Sequence, residues 1–140
     1  MKNLFSERVA AIGLLAIQTL MIGFHLLILT GVIPFNIVWG GRLKTHEQMV
    51  SFELVSVSMN LLMVLVVAVY SGLLNLKVNR TFLRGLLWGM MALFLLNTIG
   101  NLLSVNALEK AIFTPATLLL ALFSLRLAIS KEPILAKSKA

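Results

Sequence analysis

The chain has 140 residues, of which 59% are hydrophobic and only 12% are charged, and its mean hydropathy is +0.99. A soluble domain has about 45–50% apolar and about 25% charged residues, so this composition excludes a water-soluble globular domain and a disordered tail. No cysteine and only two histidines are present, which excludes disulfides and thiolate chemistry and leaves too few ligands for a metal cage. The net charge is +7, and its distribution favours membrane topology over nucleic-acid binding.

Four stretches are long enough to cross a bilayer, because a spanning α-helix needs roughly 20 mostly apolar residues. They run from about 9 to 33, 48 to 76, 85 to 104 and 111 to 129. None shows the period-2 alternation of a barrel strand. The sequence therefore predicts an all-α fold, in which residues 1–140 form a single polytopic membrane domain with four transmembrane helices in an antiparallel bundle. The first span, preceded by Lys2 and Arg8, is expected to be a retained signal anchor.

The basic residues divide unequally between the two sides of such a bundle. Nine of the 12 lysines and arginines fall at the N-terminus, in the middle loop and at the C-terminal end, and three fall in the other two loops. With the acidic residues included, the first side carries +7 and the second side is neutral. The positive-inside rule then predicts that both termini are cytoplasmic and that the protein lies in the inner or plasma membrane. The basic tail from Lys131 to Ala140 is expected to contact anionic headgroups.

Local signals mark the starts of two helices. Thr45 precedes the second span as an N-cap, with Gln48 reaching back in a capping box, and Asn106 does the same for the fourth span. Pro115 predicts either a kink in the fourth helix or a fresh start there. Three amphipathic rings are expected at the membrane interfaces, namely Trp39, Tyr70 and Trp88.

Polar residues recur at helical spacing along each span, so each set shares one helix face. Since lipid is a poor partner for polar groups, these faces should point at one another. At a rise of about 1.5 Å per residue, most of these residues fall in the outer half of the hydrocarbon core. The sequence thus predicts a dry cytoplasmic half and a polar outer half. The candidate polar pocket comprises His25, Arg42, Glu53, Asn60, Asn97, Asn101 and Thr114.

Two interpretations stay open for each of the principal candidates. Glu53 is placed at the outer rim, where it either forms an ion pair with Arg42 or Lys44 or serves as an ionisable gate or general acid/base. His25 is either a proton carrier or ligand, or a neutral histidine bonded across helices. The amides of Asn97 and Asn101 either line a pocket or join neighbouring helices.

Gly85 and Gly89 form a GxxxG pattern at the start of the third span. Small residues at this spacing let two helices approach closely. The pair is therefore a candidate for helix packing, either within the bundle or between two copies of the chain, so an oligomer is possible.

The sequence contains no catalytic motif, and no metal site or cofactor is expected. Three functions stay open. The outer polar half binds or moves a small amphipathic molecule or ion, or the protein is an accessory subunit whose polar residues join helices and whose membrane partner supplies the function. In the third, Glu53 and His25 perform acid–base chemistry on a lipid-like substrate.

Several residues together resemble a group of small four-span bacterial integral membrane proteins of unassigned function. They are Pro34, the run Trp39-Gly40-Gly41-Arg42, Glu53, the run Asn97-Thr98-Ile99-Gly100-Asn101 and the pair Glu109-Lys110. The resemblance covers most of the chain. It implies a membrane-embedded four-helix fold and brings no activity with it.

Overall fold

The computed structural model describes residues 6–130, which form four α-helices joined by short connections. The helices are α1 (Glu7–Leu29), α2 (His46–Ser71), α3 (Arg80–Leu102) and α4 (Ala107–Ala128). Each is long and apolar enough to cross a membrane, which confirms the all-helical prediction and the number of spans. Lys2 and the basic tail Lys131 to Ala140 lie outside the described residues, so the expectations for them are untested.

Two of the helices end earlier than the hydropathy indicates, and a glycine is the reason in each case. Gly31 has φ +78° just after α1, and Gly72 has φ +82° just after α2. This left-handed conformation, which glycine adopts without steric cost, stops a helix and turns the chain. After Gly72 the Leu74 N–H donates back to the carbonyl of Ala68 at 3.1 Å, which pairs one of the last free carbonyls of α2. Apolar residues continue beyond both glycines, so hydropathy alone places the ends too late.

Side-chain caps fix the starts of the helices. The Oδ1 atom of Asn79 accepts from the Thr81 N–H at 2.8 Å, and α3 therefore begins at Arg80 rather than near residue 85. Asn106 caps α4 as predicted, accepting from the Leu108 N–H at 3.0 Å.

Thr45 also caps α2 as predicted, accepting from the Gln48 N–H at 3.2 Å. Gln48 reaches back, but its Oε1 accepts from the Lys44 N–H at 3.0 Å instead of from the cap residue itself. Pro115 lies inside an unbroken α4, so the fresh helix start is not formed.

The helices pack unevenly around the bundle. α1 packs against both α2 and α4, and α3 packs against α4, whereas α2 and α3 contact each other little. The larger apolar cluster lies at the end of the bundle away from loop 34–45 and includes the fully buried Leu14, Val67, Leu87 and Leu127, and a smaller one at the loop includes Val38 and Leu43. This arrangement leaves a seam between α2 and α3, and close packing elsewhere holds the bundle together.

The glycine that permits close helix packing is Gly13, not Gly85 or Gly89. A Cβ atom built on Gly13 would collide with the ring of Phe123 on α4, whereas one built on Gly85 or Gly89 would meet nothing within 4 Å. The packed face of α3 carries larger residues such as Leu87 instead. Within residues 6–130 nothing packs closely against Gly85 or Gly89, and their role between copies of the chain stays a prediction.

The end of the bundle opposite loop 34–45 is closed by polar groups. Tyr70 is 3% exposed, and its hydroxyl donates to the carbonyl of Leu127 at 2.9 Å, while the guanidinium of Arg80 lies 4.7 Å from its ring centre. Tyr70 is thus a buried bridge between α2 and α4 rather than an exposed interfacial ring. The Nε of Arg84 donates to the carbonyl of Ala128 at 3.0 Å. Trp88 is 44% exposed, in keeping with an interfacial position.

Candidate functional site

The carboxylate of Glu53 lies about two turns into α2 and is fully buried, at 0% exposure. Its Oε2 is 2.6 Å from Nδ1 of His25 on α1, and its Oε1 accepts from the Nε1–H of Trp39 at 2.7 Å. The indole nitrogen can only donate, whereas the donor of the bond between Nδ1 and Oε2 depends on the tautomer of His25. Both oxygens of Glu53 are therefore bonded inside the protein, which offsets the cost of burying the carboxylate.

Trp39 reaches Glu53 because of an unusual backbone conformation. Trp39, Gly40 and Gly41 have φ of +55°, +64° and +69°, and Trp39 is the one described residue other than glycine with positive φ. A left-handed conformation costs a residue with a Cβ about 1–2 kcal/mol, so surrounding contacts must hold it. The hydrogen bond to Glu53 and the edge-to-face contact of the indole with Phe52, at 5.2 Å between ring centres, supply such contacts.

A second carboxylate, that of Glu109 on α4, holds the same loop from the other side. Its Oε2 accepts from the Gly40 N–H at 2.8 Å and from the Ser104 hydroxyl at 2.6 Å. Asn106 also bonds the loop, donating from Nδ2 to the carbonyl of Ile37. Consecutive loop residues are thus tied to α2 through Trp39 and to α4 through Gly40.

Beneath this loop lies a cavity of about 440 Å³. The loop contributes Trp39, Gly40 and Arg42 to its wall, and every helix contributes residues as well. Its lining also includes Val55 and Leu96, which are 63% and 65% exposed, on the facing sides of α2 and α3. The cavity therefore opens sideways into the seam where α2 and α3 contact each other little.

The amides and hydroxyls around the cavity differ in their bonding. Asn60 donates to the carbonyl of Ser56 on its own helix at 2.9 Å. Asn101 donates to the hydroxyl of Thr117 across the α3–α4 interface at 3.4 Å, and the Thr98 hydroxyl donates to the same oxygen at 2.9 Å. Asn97 lines the cavity and forms no hydrogen bond with the described residues. Asn97 therefore has an amide that is not bonded within residues 6–130, whereas Asn60 and Asn101 each use the amide nitrogen for a bond inside the protein.

The structure brings together five of the seven predicted pocket residues in the cavity wall, which are His25, Arg42, Asn60, Asn97 and Asn101. Glu53 lies behind His25, and Thr114 lies away from the wall, with a buried hydroxyl that has no partner among residues 6–130. The predicted ion pair between Arg42 and Glu53 is wrong within the described residues, because both oxygens of Glu53 are bonded to His25 and Trp39. Glu53 is fully buried inside the protein, and its depth at the outer rim of the membrane stays a prediction.

The residues missing from the predicted site are Trp39, Ser104 and Glu109. Trp39 is not included because a tryptophan near the end of a span is typical of an interfacial anchor. Glu109 is not included because its position three residues after Asn106 is explained by a capping box. The one available signal for the loop is the Gly40-Gly41 pair after Trp39, since consecutive glycines mark a backbone with unusual φ angles.

Two further polar side chains are buried in the helices with no partner in the described part of the chain. Gln18 is 0% exposed, and neither atom of its amide forms a hydrogen bond. The hydroxyl of Ser124 is also buried and unpaired. The half of the bundle below the cavity is therefore not purely apolar. Each buried polar group without a partner costs free energy on the order of 1–3 kcal/mol.

Comparisons with models of protein families, with curated proteins and with solved structures found no match. What the site can do follows from its own side chains.

Proposed function

We propose that the protein is an integral membrane protein whose cavity binds a small amphipathic molecule within the bilayer. The four helices form an antiparallel bundle with both termini in the cytoplasm, so that the cavity and loop 34–45 lie in the outward half. The division of nine basic residues against three supports this orientation.

The observation that carries this proposal is the shape and lining of the cavity. A pocket of about 440 Å³ has polar groups at the loop and an apolar opening between α2 and α3. Ligand sites are mostly apolar and carry a few placed polar groups that orient the ligand. A head group fits under the loop beside His25 and Asn97, and an apolar chain fits in the seam beside Met59 and Leu96.

An accessory structural role is the second candidate, and one observation favours it. Thr98, Asn101 and Thr117 bond one another across α3 and α4, which is how polar residues join transmembrane helices. On this view a membrane partner supplies the activity. The unbonded Asn97 and the cavity volume favour the binding function over this one.

Photo-crosslinking tests the binding function. Purified protein in nanodiscs would be exposed to a monoacylglycerol with a diazirine in its acyl chain, a probe whose neutral head favours neither charge. We expect crosslinks to concentrate on residues of the cavity and seam such as Met59 and Leu96. Asn97→Phe should reduce them several-fold by filling the cavity.

Leu95→Phe is the matched control, because Leu95 is a neighbouring α3 residue that is 41% exposed and does not line the cavity. It should leave crosslinking unchanged. Labelling spread evenly over all lipid-facing surfaces and insensitive to Asn97→Phe would overturn the binding function.

A further inference from the structure

We propose, building on the binding function above, that the headgroup this cavity takes is zwitterionic. Arg42 binds its anionic group, and Glu109 binds its ammonium group. The occupant is a single-chain amphiphile whose chain lies in the seam between α2 and α3.

The inference begins with the charges that the protein leaves unused. Arg42 lines the cavity, and no carboxylate of the described residues lies within 4 Å of its guanidinium. Glu109 also lines the cavity, and its Oε2 is occupied by Gly40 and Ser104, whereas its Oε1 accepts no hydrogen bond from residues 6–130. One cation and one anionic oxygen are therefore available at the same wall.

These two groups both lie beside Gly40 and form no ion pair with each other. The position that a Cβ of Gly40 would occupy is 3.7 Å from Nε of Arg42 and 3.9 Å from Oε2 of Glu109. The space that a Gly40 side chain would fill is therefore close to both charges, which are not paired with each other. A ligand with one charge of each sign can bond both groups at once, and each charge-assisted bond is stronger than a neutral one.

A headgroup of a single charge fits this wall less well. An anion bonded to Arg42 would lie beside the carboxylate of Glu109, and a cation bonded to Glu109 would lie beside the guanidinium of Arg42. The other acid, Glu53, does not line the cavity, and both of its oxygens are bonded to His25 and Trp39, so it offers no direct contact to a cation there. Attraction between opposite charges and repulsion between like charges together favour a zwitterionic headgroup over one that carries a single charge.

Aromatic rings add to the ammonium site. Phe24 and Phe113 both line the cavity, with ring centres 5.0 Å apart, and Trp39 lines it from the loop. The faces of such rings attract ammonium groups, more strongly when water is excluded. Glu109 and Phe113 are neighbours on α4, one turn apart, so carboxylate and ring lie on one side of the site.

The test compares headgroups on a constant chain. Native mass spectrometry of the full chain in a neutral maltoside detergent would measure binding of four C16 amphiphiles: lysophosphatidylethanolamine, lysophosphatidylglycerol, hexadecylamine and monopalmitoylglycerol. The zwitterionic lipid should bind about tenfold more tightly than the other three, the effect of one charge-assisted bond. Glycerophosphoethanolamine, which has the same headgroup and no chain, should compete poorly.

Two charge-neutralising variants give opposite changes in preference. Arg42→Gln should move the preference to hexadecylamine, and Glu109→Gln should move it to lysophosphatidylglycerol. Lys44→Gln and Glu47→Gln remove the same charges from exposed residues outside the cavity and should leave the ranking unchanged. A reversal of ranking cannot come from misfolding, which would weaken all four ligands together.

The outcomes separate the two proposals. The proposal of a zwitterionic headgroup would be overturned if amphiphiles bind tightly with no headgroup preference, or with a preference that Arg42→Gln leaves intact. The binding function would stand in that case. No binding of any of the four would overturn both. If glycerophosphoethanolamine binds as tightly as lysophosphatidylethanolamine, the headgroup assignment would be supported. The proposal that an acyl chain lies in the seam would then be overturned, and the ligand would be a soluble molecule.

Discussion

Glu53 has no exposed surface, so the two side chains that bond it determine how much its burial costs. Breaking such a buried pair is expensive because it leaves an uncompensated group behind. His25 and Trp39 belong to different segments, and the carboxylate joins both of them to α2. The other ring nitrogen of His25, Nε2, has no bond within residues 6–130, and His25 lines the cavity. The histidine therefore links the buried acid to the place where a ligand would lie.

The contact between His25 and Glu53 predicts coupled effects on stability. Glu53→Leu and His25→Leu should each destabilise the fold, and the double variant should be less unstable than the sum of both by about 1–3 kcal/mol. Unfolding in mixed micelles of increasing dodecyl sulfate content would measure this coupling. Glu53→Gln, which keeps an acceptor for Trp39, should cost less than Glu53→Leu and remains usable if the leucine variant does not fold.

Arg42 is the matched control for that cycle, because the structure places it away from the Glu53 carboxylate. Arg42→Gln combined with Glu53→Leu should be additive to within about 0.5 kcal/mol. Strong coupling to Arg42 and none to His25 would restore the ion pair expected from the sequence.

The helices and their loop differ in how far the sequence predicts them. Apolar runs and cap residues place all four helices to within a few residues, since both signals are local. The ends after Gly31 and Gly72 need the backbone conformation as well as the hydropathy. The polar faces are also local, which is why His25, Asn97 and Asn101 are found from spacing alone.

Contacts across the loop could not be found in this way. The bond from Gly40 to Glu109 joins residues 69 apart, and the bond from Trp39 to Glu53 requires a left-handed tryptophan that no propensity favours. Arg42 is close to Glu53 along the chain, but the positive φ angles before it direct Trp39 and not Arg42 to the acid. Sequence proximity therefore indicated the wrong partner.

At the level of helix packing, the glycines predict opposite responses to the same substitution. Gly13→Ala should destabilise the bundle by about 1–3 kcal/mol, because the new methyl group forces the ring of Phe123 to move. Gly89→Ala meets open space and should be neutral or stabilising by up to about 1 kcal/mol, since alanine favours a helix. Unfolding in mixed micelles would compare them, and a larger loss for Gly89→Ala would show that its face packs against another helix.

On the scale of the whole molecule, one end differs from the other. The end with loop 34–45 contains the cavity, the carboxylates of Glu53 and Glu109 that bond the loop, and the aromatic contacts, whereas Tyr70, Arg80 and Arg84 close the opposite end. Those two arginines belong to the basic side of the charge count and also bond within the fold or contact Tyr70. The basic end and the cavity end are therefore opposite ends of the bundle. An experiment that shows which side of the membrane one end faces also shows which side the other end faces.

This arrangement predicts the topology. A fluorescent reporter that matures only in the cytoplasm should be bright when fused after Asn79 or at the C-terminus, and dark when fused after Gly41, because basic segments are retained inside. The C-terminal fusion leaves the loop contacts intact, and so serves as the control for the disruption that a fusion after Gly41 causes. A periplasmic alkaline phosphatase fusion after Gly41 should give the complementary signal. Brightness after Gly41 together with darkness at the C-terminus would invert the bundle. The cavity would then open towards the cytoplasmic leaflet, and its ligand would have to come from that side.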